Sequence, residues 1–238
     1  HLMVMDLLAN NKWERPIYFA VTTGPDSYIN LQDYFQLEGL TYRLVPVYSP
    51  NRNPNLNGRV ATDVMYRNVM EKFRWGNMET EGDIYLDENI LRMTTNLRLQ
   101  MSSLAEALIT EGRNDEARNI LDLSLEKMPE RNVPYDRILL PTVEAYYAIG
   151  DTAKADALNE RIFEIMEENL TWLLSLEDRF VKPLEQEMAI THAVMGRLES
   201  VASPDLKARL AERMGAMNAV IEEREQGTGR KRTTRMRF

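Results

Sequence analysis

Apolar positions change their spacing several times along this chain. Over residues 2–11, Leu2, Met5, Leu8 and Ala9 fall on one helical face, and Asn10 and Asn11 suit a helix end. PIYFAV (Pro16–Val21) is then a β-branched and aromatic run. Its proline stands first, where a strand tolerates it. Gly24-Pro25-Asp26 is turn chemistry. Residues 30–37 read as one or two helical turns, and TYRLVPVY (Thr41–Tyr48) as a second strand. SPNRNPNLNG (Ser49–Gly58) has no period and reads as a polar loop. Over residues 60–74 the stripe Val60, Val64, Met65, Val69, Met70 and Phe73 predicts an amphipathic helix. Residues 1–80 are therefore expected to form a small α/β cap with two short strands. Two strands alone are marginal, so the cap needs something further to cover them.

From Asp87 onward the period is helical throughout. Asp87 is a predicted N-cap, with Glu88 in the first turn favoured by the helix dipole. That helix is expected to run to Glu111 and stop at Gly112. Asn114 then caps a helix ending near Met128-Pro129. The pattern recurs with a helix to Ile149, a stop at Gly150 and an Asp151 cap. A third, looser round places a stop at Gly196 and a helix start at Ser203-Pro204-Asp205.

These positions fit a tetratricopeptide (TPR) unit, two antiparallel helices with small residues at the crossing and Gly at the turn. Met101, Leu104-Ala105, Leu108, Gly112, Ala117, Leu121, Leu125 and Pro129 fill the pattern in order. Leu139, Tyr146, Gly150, Ala155 and Phe163 fit a second unit. There Thr142-Val143 and Asn159 depart from the pattern, and Glu167 stands where Pro belongs. The third unit keeps only Gly196, as an atypical terminal repeat would. An ordinary helical bundle explains the apolar stripe, but not the agreement at small, Gly and Pro positions. The expected fold class is mainly α, with two to three TPR-like hairpins over 81–225 after the α/β cap.

In such a repeat the inner helices line a concave groove. Spacing places Ser102, Glu106 and Ile109 there from the first unit, Arg137, Leu140, Glu144 and Tyr147 from the second, and Gln186 from the third. An acidic and aromatic groove suits a polar or cationic peptide, or a sugar stacked on Tyr147. Another part of the same protein filling the groove is an equal alternative.

Charge narrows the partners. The net charge is −8, which repels nucleic acid and anionic lipid. Arg230, Lys231, Arg232, Arg235 and Arg237 crowd the terminal stretch, and residues 226–238 are expected to be a disordered basic tail. The chain has no cysteine and only two histidines, His1 and His192, so no metal site or other cofactor is expected. His192 shares a helical face with Met188 and Met195 and reads as a satisfied core histidine. The pairs Glu167-Glu168, Glu185/Glu187 and Glu222-Glu223 lie on charge-rich helices, where carboxylates face solvent rather than act as acid/base couples. Asn169-Leu170-Thr171 matches a glycosylation acceptor pattern at chance-level spacing, and Asp151-Thr152-Ala153 resembles another but is sufficiently read as a helix cap. No catalytic residue is identified.

The strings DLLANNKWERPIYFAVTTG (Asp6–Gly24), YFQLEGLTYRLVPV (Tyr34–Val47), KFRWGNM (Lys72–Met78) and YLDENILRMTTNLR (Tyr85–Arg98) resemble the C-terminal soluble region of a bacterial membrane-protein family related to protein O-mannosyltransferases. The resemblance covers roughly residues 2–200. It implies a multi-span glycosyltransferase of the GT-C type, whose catalytic acid and lipid-sugar site lie in the membrane half. This chain would then be a non-catalytic accessory domain at the periplasmic face. Its partners would be the upstream transmembrane half and an acceptor protein or peptide, with membrane association only through that parent. Trp13, Arg15, Tyr18 and Arg43 would be structural positions packing against the membrane half. The repeat alone supports a second reading, a free-standing TPR-type protein–protein adaptor.

Overall fold

The computed structural model describes residues 2–51, 57–82 and 84–235. The protein is mainly helical with a small N-terminal sheet, and it packs as two compact units, His1–Pro134 and Tyr135–Phe238. The first unit opens with helix α1 (Leu2–Asn11), which carries no fully buried residue. Four strands follow, where the sequence predicts two: β1 (Ile17–Ala20), β2 (Phe35–Leu37), β3 (Thr41–Leu44) and β4 (Arg59–Val60). They form one sheet in the order β1-β3-β2-β4. The expected helical turns over 30–37 shrink to a 3-10 turn at Gln32–Tyr34, because Phe35–Leu37 pairs with β3. The strand predicted to Tyr48 ends at Leu44, before Pro46, which cannot donate to a ladder.

Pairing register sorts the side chains. Ile17, Leu44 and Phe35 align, as do Phe19, Tyr42 and Leu37, so they share one face. Tyr28 folds over that face and closes an aromatic cluster. Phe35 lies 5.0 Å from Phe19, 5.1 Å from Tyr28 and 5.4 Å from Tyr42, ring centre to ring centre. Edge and offset contacts of this kind add to plain burial. The opposite face carries Tyr18, Arg43, Gln36 and Arg59.

Helix α2 (Thr62–Arg67) runs on as a π-helical turn over Asn68–Lys72, inside the amphipathic stretch predicted over 60–74. Met65 and Val69 are its buried contacts with the core. Helices α3 (Glu88–Thr110) and α4 (Asn114–Lys127) then pack as a hairpin. Asp87 caps α3 as predicted, its carboxylate accepting from the Ile90 N–H at 2.8 Å. Asn114 is instead the first helical residue of α4, and Arg113 occupies the cap position. Arg113 is held there by hydrogen bonds to Asp63, Glu111 and Glu116.

That arginine also explains why the units divide at Pro134 and not near residue 80. The hairpin is fastened to the cap region at several points. Thr62 donates to Glu111 at 3.0 Å, and Lys127 donates to Glu79 at 3.2 Å. The Asn132 amide donates to the carbonyls of Met78 and Thr80.

The second unit contains α5 (Leu140–Ala148), α6 (Thr152–Ser175), a single turn α7 (Asp178–Val181), α8 (Glu185–Val201) and α9 (Pro204–Arg235). Helix α6 is central and packs on α5, α8 and α9. Ala155, Ile162, Phe163 and Leu170 are its buried stripe. Burial of each large apolar side chain contributes about 1.5–3 kcal/mol.

Gly112 and Gly150 end α3 and α5 in the same way, at φ 77° and 78°. In each case the next residue's N–H reaches back five positions, Arg113 to Leu108 and Asp151 to Tyr146. Such a closure requires the left-handed conformation that glycine adopts without strain. Gly196 does not act this way. It lies inside α8, where it breaks no hydrogen bond, so the predicted stop there is wrong. Helix α9 continues through the basic stretch to Arg235, over most of the segment expected to be disordered. Residues 236–238 lie outside the described residues.

Candidate functional site

The polar face of the sheet places one residue from each strand in a row. Tyr18 lies opposite Arg43, Arg43 opposite Gln36, and Gln36 opposite Arg59. Glu38, just past β2, is the buried anion among them. It accepts from the Gln36 amide at 2.9 Å and from the Tyr18 hydroxyl at 3.2 Å, and Arg43 stands 3.6 Å away. Arg59 donates twice to the Gln36 carbonyl oxygen, at 3.2 and 2.7 Å. Burial of its hydroxyl and the charge of Glu38 push the Tyr18 phenol above its ordinary value. Tyr18 and Arg43 thus take part in a polar row of the sheet. Gln36, Glu38 and Arg59 escaped the sequence reading, because β2 was read as helical and the register was missing.

Ser102 and Glu106 lie on α3 of the first unit. Ser102 is buried and donates to the Arg98 carbonyl at 3.1 Å, while Glu106 is exposed. The most constrained group nearby is Arg98, which is 1% exposed. Its guanidinium donates to the carbonyls of Met128, Val133 and Pro134 at 2.5, 2.7 and 2.9 Å. It closes the chain behind α4, where helix-terminal carbonyls lack intrahelical partners.

Arg137, Glu144, Tyr147 and Gln186 lie in the second unit. Arg137 donates to Glu187 at 2.5 Å, and Arg197 donates to Glu144 at 2.5 Å. Gln186 is exposed. The Tyr147 hydroxyl donates to Asp156 at 2.5 Å and accepts from the Asn159 amide at 3.2 Å. Ser203 completes this cluster rather than capping α9 with its side chain. Its hydroxyl and its N–H both donate to Asp156, at 2.6 and 3.3 Å. Asp156 thereby ties α5 and α6 to the start of α9. Nothing in the sequence around Asp156 singled it out, since Thr152, Asn159 and Glu160 surround it on the helix.

Charge in this cluster is distributed in a definite way. Burial, then the hydrogen bond to Asp156, pushes the Tyr147 phenol up to about 12. Burial acts to raise the Asp156 carboxyl too, but hydrogen bonds from Ser203 and Tyr147 outweigh it and hold it below its usual range. The depressed Asp156 contributes stability that is present above about pH 4 and is lost as pH falls lower. The raised Tyr147 contributes stability that is full below about pH 10 and is lost as pH rises toward 12. Calorimetric melts of the Tyr147→Phe variant should therefore lose sensitivity on the alkaline side and keep on the acid side only the part that the Ser203 hydrogen bonds to Asp156 supply. Superimposable pH profiles for variant and parent would contradict this assignment.

Of the carboxylate pairs singled out above, Glu187 is bound to Arg137 and Glu167 accepts from Arg213, whose guanidinium sits 4.8 Å from the Phe163 ring centre. Glu168 lines a shallow groove with Thr171, Trp172, Met217 and Val220. His192 is half-buried between α8 and α9 rather than in the core, with Nε2 2.6 Å from the Asn218 side-chain oxygen.

Residues 1–64 match the family described as TMEM260-associated domain 2. The matched stretch contains α1 and all four strands, and therefore the whole polar row of the sheet. No curated protein and no solved structure matches the chain.

Proposed function

We propose that this chain is a non-catalytic accessory domain of a membrane glycosyltransferase of the protein O-mannosyltransferase-related kind. The observation that carries the reading is a coincidence of position. The strings Asp6–Gly24 and Tyr34–Val47, which resemble that family, lie inside the residues matched to TMEM260-associated domain 2. On this reading the chain sits on the periplasmic face, stabilises the enzyme and positions an acceptor protein. The α3/α4 and α5/α6 hairpins are TPR-like units serving that role, with Ser102 and Glu106 as the candidate contacts on the first unit and, separately, Arg137, Glu144, Tyr147 and Gln186 on the second. The ion pairs made by Arg137, Glu144 and Glu167 support a structural rather than acid/base use of these carboxylates.

Two measurements test this. The reading frame upstream of His1 should encode several apolar segments of about 20 residues each. Membranes carrying the full gene should transfer sugar from a lipid-linked donor to exported protein, and deleting the codons for residues 1–238 should abolish transfer. A frame without such segments, or full transfer after the deletion, sinks the proposal.

A further inference from the structure

Two arginines of the polar row have donors that the protein does not use. β3 and β4 flank β2, so the backbones of Arg43 and Arg59 stand about 10 Å apart with Gln36 between them. Both heads lean toward the pair formed by Gln36 and Glu38, which are 9 and 8% exposed and make a buried floor. Arg59 commits Nε and Nη2 to the single Gln36 carbonyl oxygen, so Nη1 has no protein partner among the described residues. Arg43 comes no nearer to Glu38 than 3.6 Å and donates no hydrogen bond among the described residues. Its side chain is 43% exposed, and Arg59 is exposed as well.

The way these arginines are held differs from the rest of the protein. Arg113, Arg137, Arg197, Arg209 and Arg213 each meet a carboxylate between 2.5 and 2.7 Å. Arg59 instead rests on a neutral amide, which fixes a guanidinium in place without cancelling its charge. Glu38 is the one carboxylate paired with either arginine among the described residues. Its oxygens already accept from the Gln36 amide and the Tyr18 hydroxyl. One carboxylate against two guanidiniums leaves an excess of one positive charge, on a chain whose net charge is −8.

We propose that Arg43 and Arg59 together bind a phosphate group above Gln36. A phosphate ester carries about −1.5 to −2 at pH 7 and offers three acceptor oxygens, enough to engage two guanidinium forks. A carboxylate has two oxygens, which one fork already fills. The acidic chain repels a long polyanion, so the ligand brings a single phosphate, on a soluble ester or on a lipid headgroup. The site lies within the residues matched to TMEM260-associated domain 2 and does not depend on glycosyl transfer.

Isothermal titration of the purified chain with inorganic phosphate, in low-chloride buffer, tests the site. Arg43→Gln and Arg59→Gln should each weaken binding about tenfold, the effect of losing one hydrogen bond between charged groups. Glu38→Gln should tighten binding several-fold, because it removes the competing anion and keeps an acceptor for the Gln36 amide. A row with only a structural role would not show loss at two arginines beside gain at an acid. Arg92→Gln, on α3, controls for net charge and should bind as the parent does. Circular dichroism verifies that each variant is folded.

A second arm measures cosedimentation with phosphatidylcholine vesicles, with and without phosphatidic acid. Arginine-dependent binding to the phosphatidic acid vesicles assigns the phosphate to a lipid headgroup. Arginine-dependent binding of inorganic phosphate alone assigns it to a soluble ester. No binding in either arm, or parental binding by both arginine variants, overturns the proposal. Equal loss in Arg92→Gln, or no tightening in folded Glu38→Gln, also overturns it. Each of these outcomes leaves the glycosyltransferase reading to its own tests.

Discussion

Replacing Arg98 with alanine should cost the first unit about 3–5 kcal/mol and lower its melting midpoint by about 10–20 °C. The guanidinium is buried and serves three backbone carbonyls in the segment that follows α4. Its removal strands those carbonyls away from water, at about 1–3 kcal/mol for each that finds no substitute. It also leaves a cavity where a long side chain packed. Arg98→Met separates the two effects, since it refills the volume and restores no donor. It should recover only the cavity part. Arg98→Lys keeps the charge but places one point donor where a planar fork reached three acceptors, and should fall between. Tryptophan emission in a Trp172→Phe background reports the first unit alone, through Trp13 and Trp75. A midpoint for Arg98→Ala within about 2 °C of the parent would show that the carbonyls are served by water instead.

The second large effect is expected at Gly58. Its φ is 62°, and a Cβ built there would stand 1.9 Å from the Phe35 carbonyl oxygen. Left-handed backbone costs an ordinary residue about 1–2 kcal/mol. The clash cannot be relieved by a side-chain rotation, because the obstructing atom belongs to the backbone of β2. Gly58→Ala must therefore push β4 away from β2 and undo the pairing of Gln36 with Arg59 and Leu37 with Val60. The expected result is loss of about 3 kcal/mol or more, with amide exchange rising at Ala61, whose N–H donates to the Leu37 carbonyl, before it rises in α3. Gly24→Ala is the control, since nothing lies near its added Cβ. Protection at Ala61 unchanged in Gly58→Ala would refute the argument.

Helices were the legible part of the sequence, and the reason is local. The period of α3 and α6, the Asp87 cap and the glycine stops at 112 and 150 all depend on residues within a few positions of one another. The sheet was less legible because β2 has three residues and β4 has two. Segments so short carry no period of their own, and only pairing with β3 and β2 makes them strands. Gly196 misled for the converse reason. A glycine ends a helix only where the chain needs a left-handed turn, and α8 has a further turn of good helix formers beyond it. The site residues divide in the same way. Glu144 and Tyr147 could be placed on a helix by spacing, but their partners Arg197 and Asp156 are 53 and 9 positions away and follow only from packing. Arg98 was invisible as a clamp, since its acceptors are carbonyls that any residue type supplies.

The parallel pairing of β4 with β2 has a kinetic consequence. β2 and β3 are joined by a tight turn at Glu38–Leu40, closed by the Glu38 N–H to the Thr41 carbonyl. A hairpin of that kind forms within about 1–10 μs. β1 can then add to the free side of β3. β4 cannot add until the chain has travelled from Leu37 around to Arg59, and it brings only two residues to the ladder. Closing such a loop is entropically uphill and returns little until Met65 and Val69 of the following helix reach the core. The strand and that helix are thus expected to consolidate together, after the hairpin and the local α3/α4 pair. During refolding, the interval before β4 docks is the period in which the edge of β2 stands open to other chains.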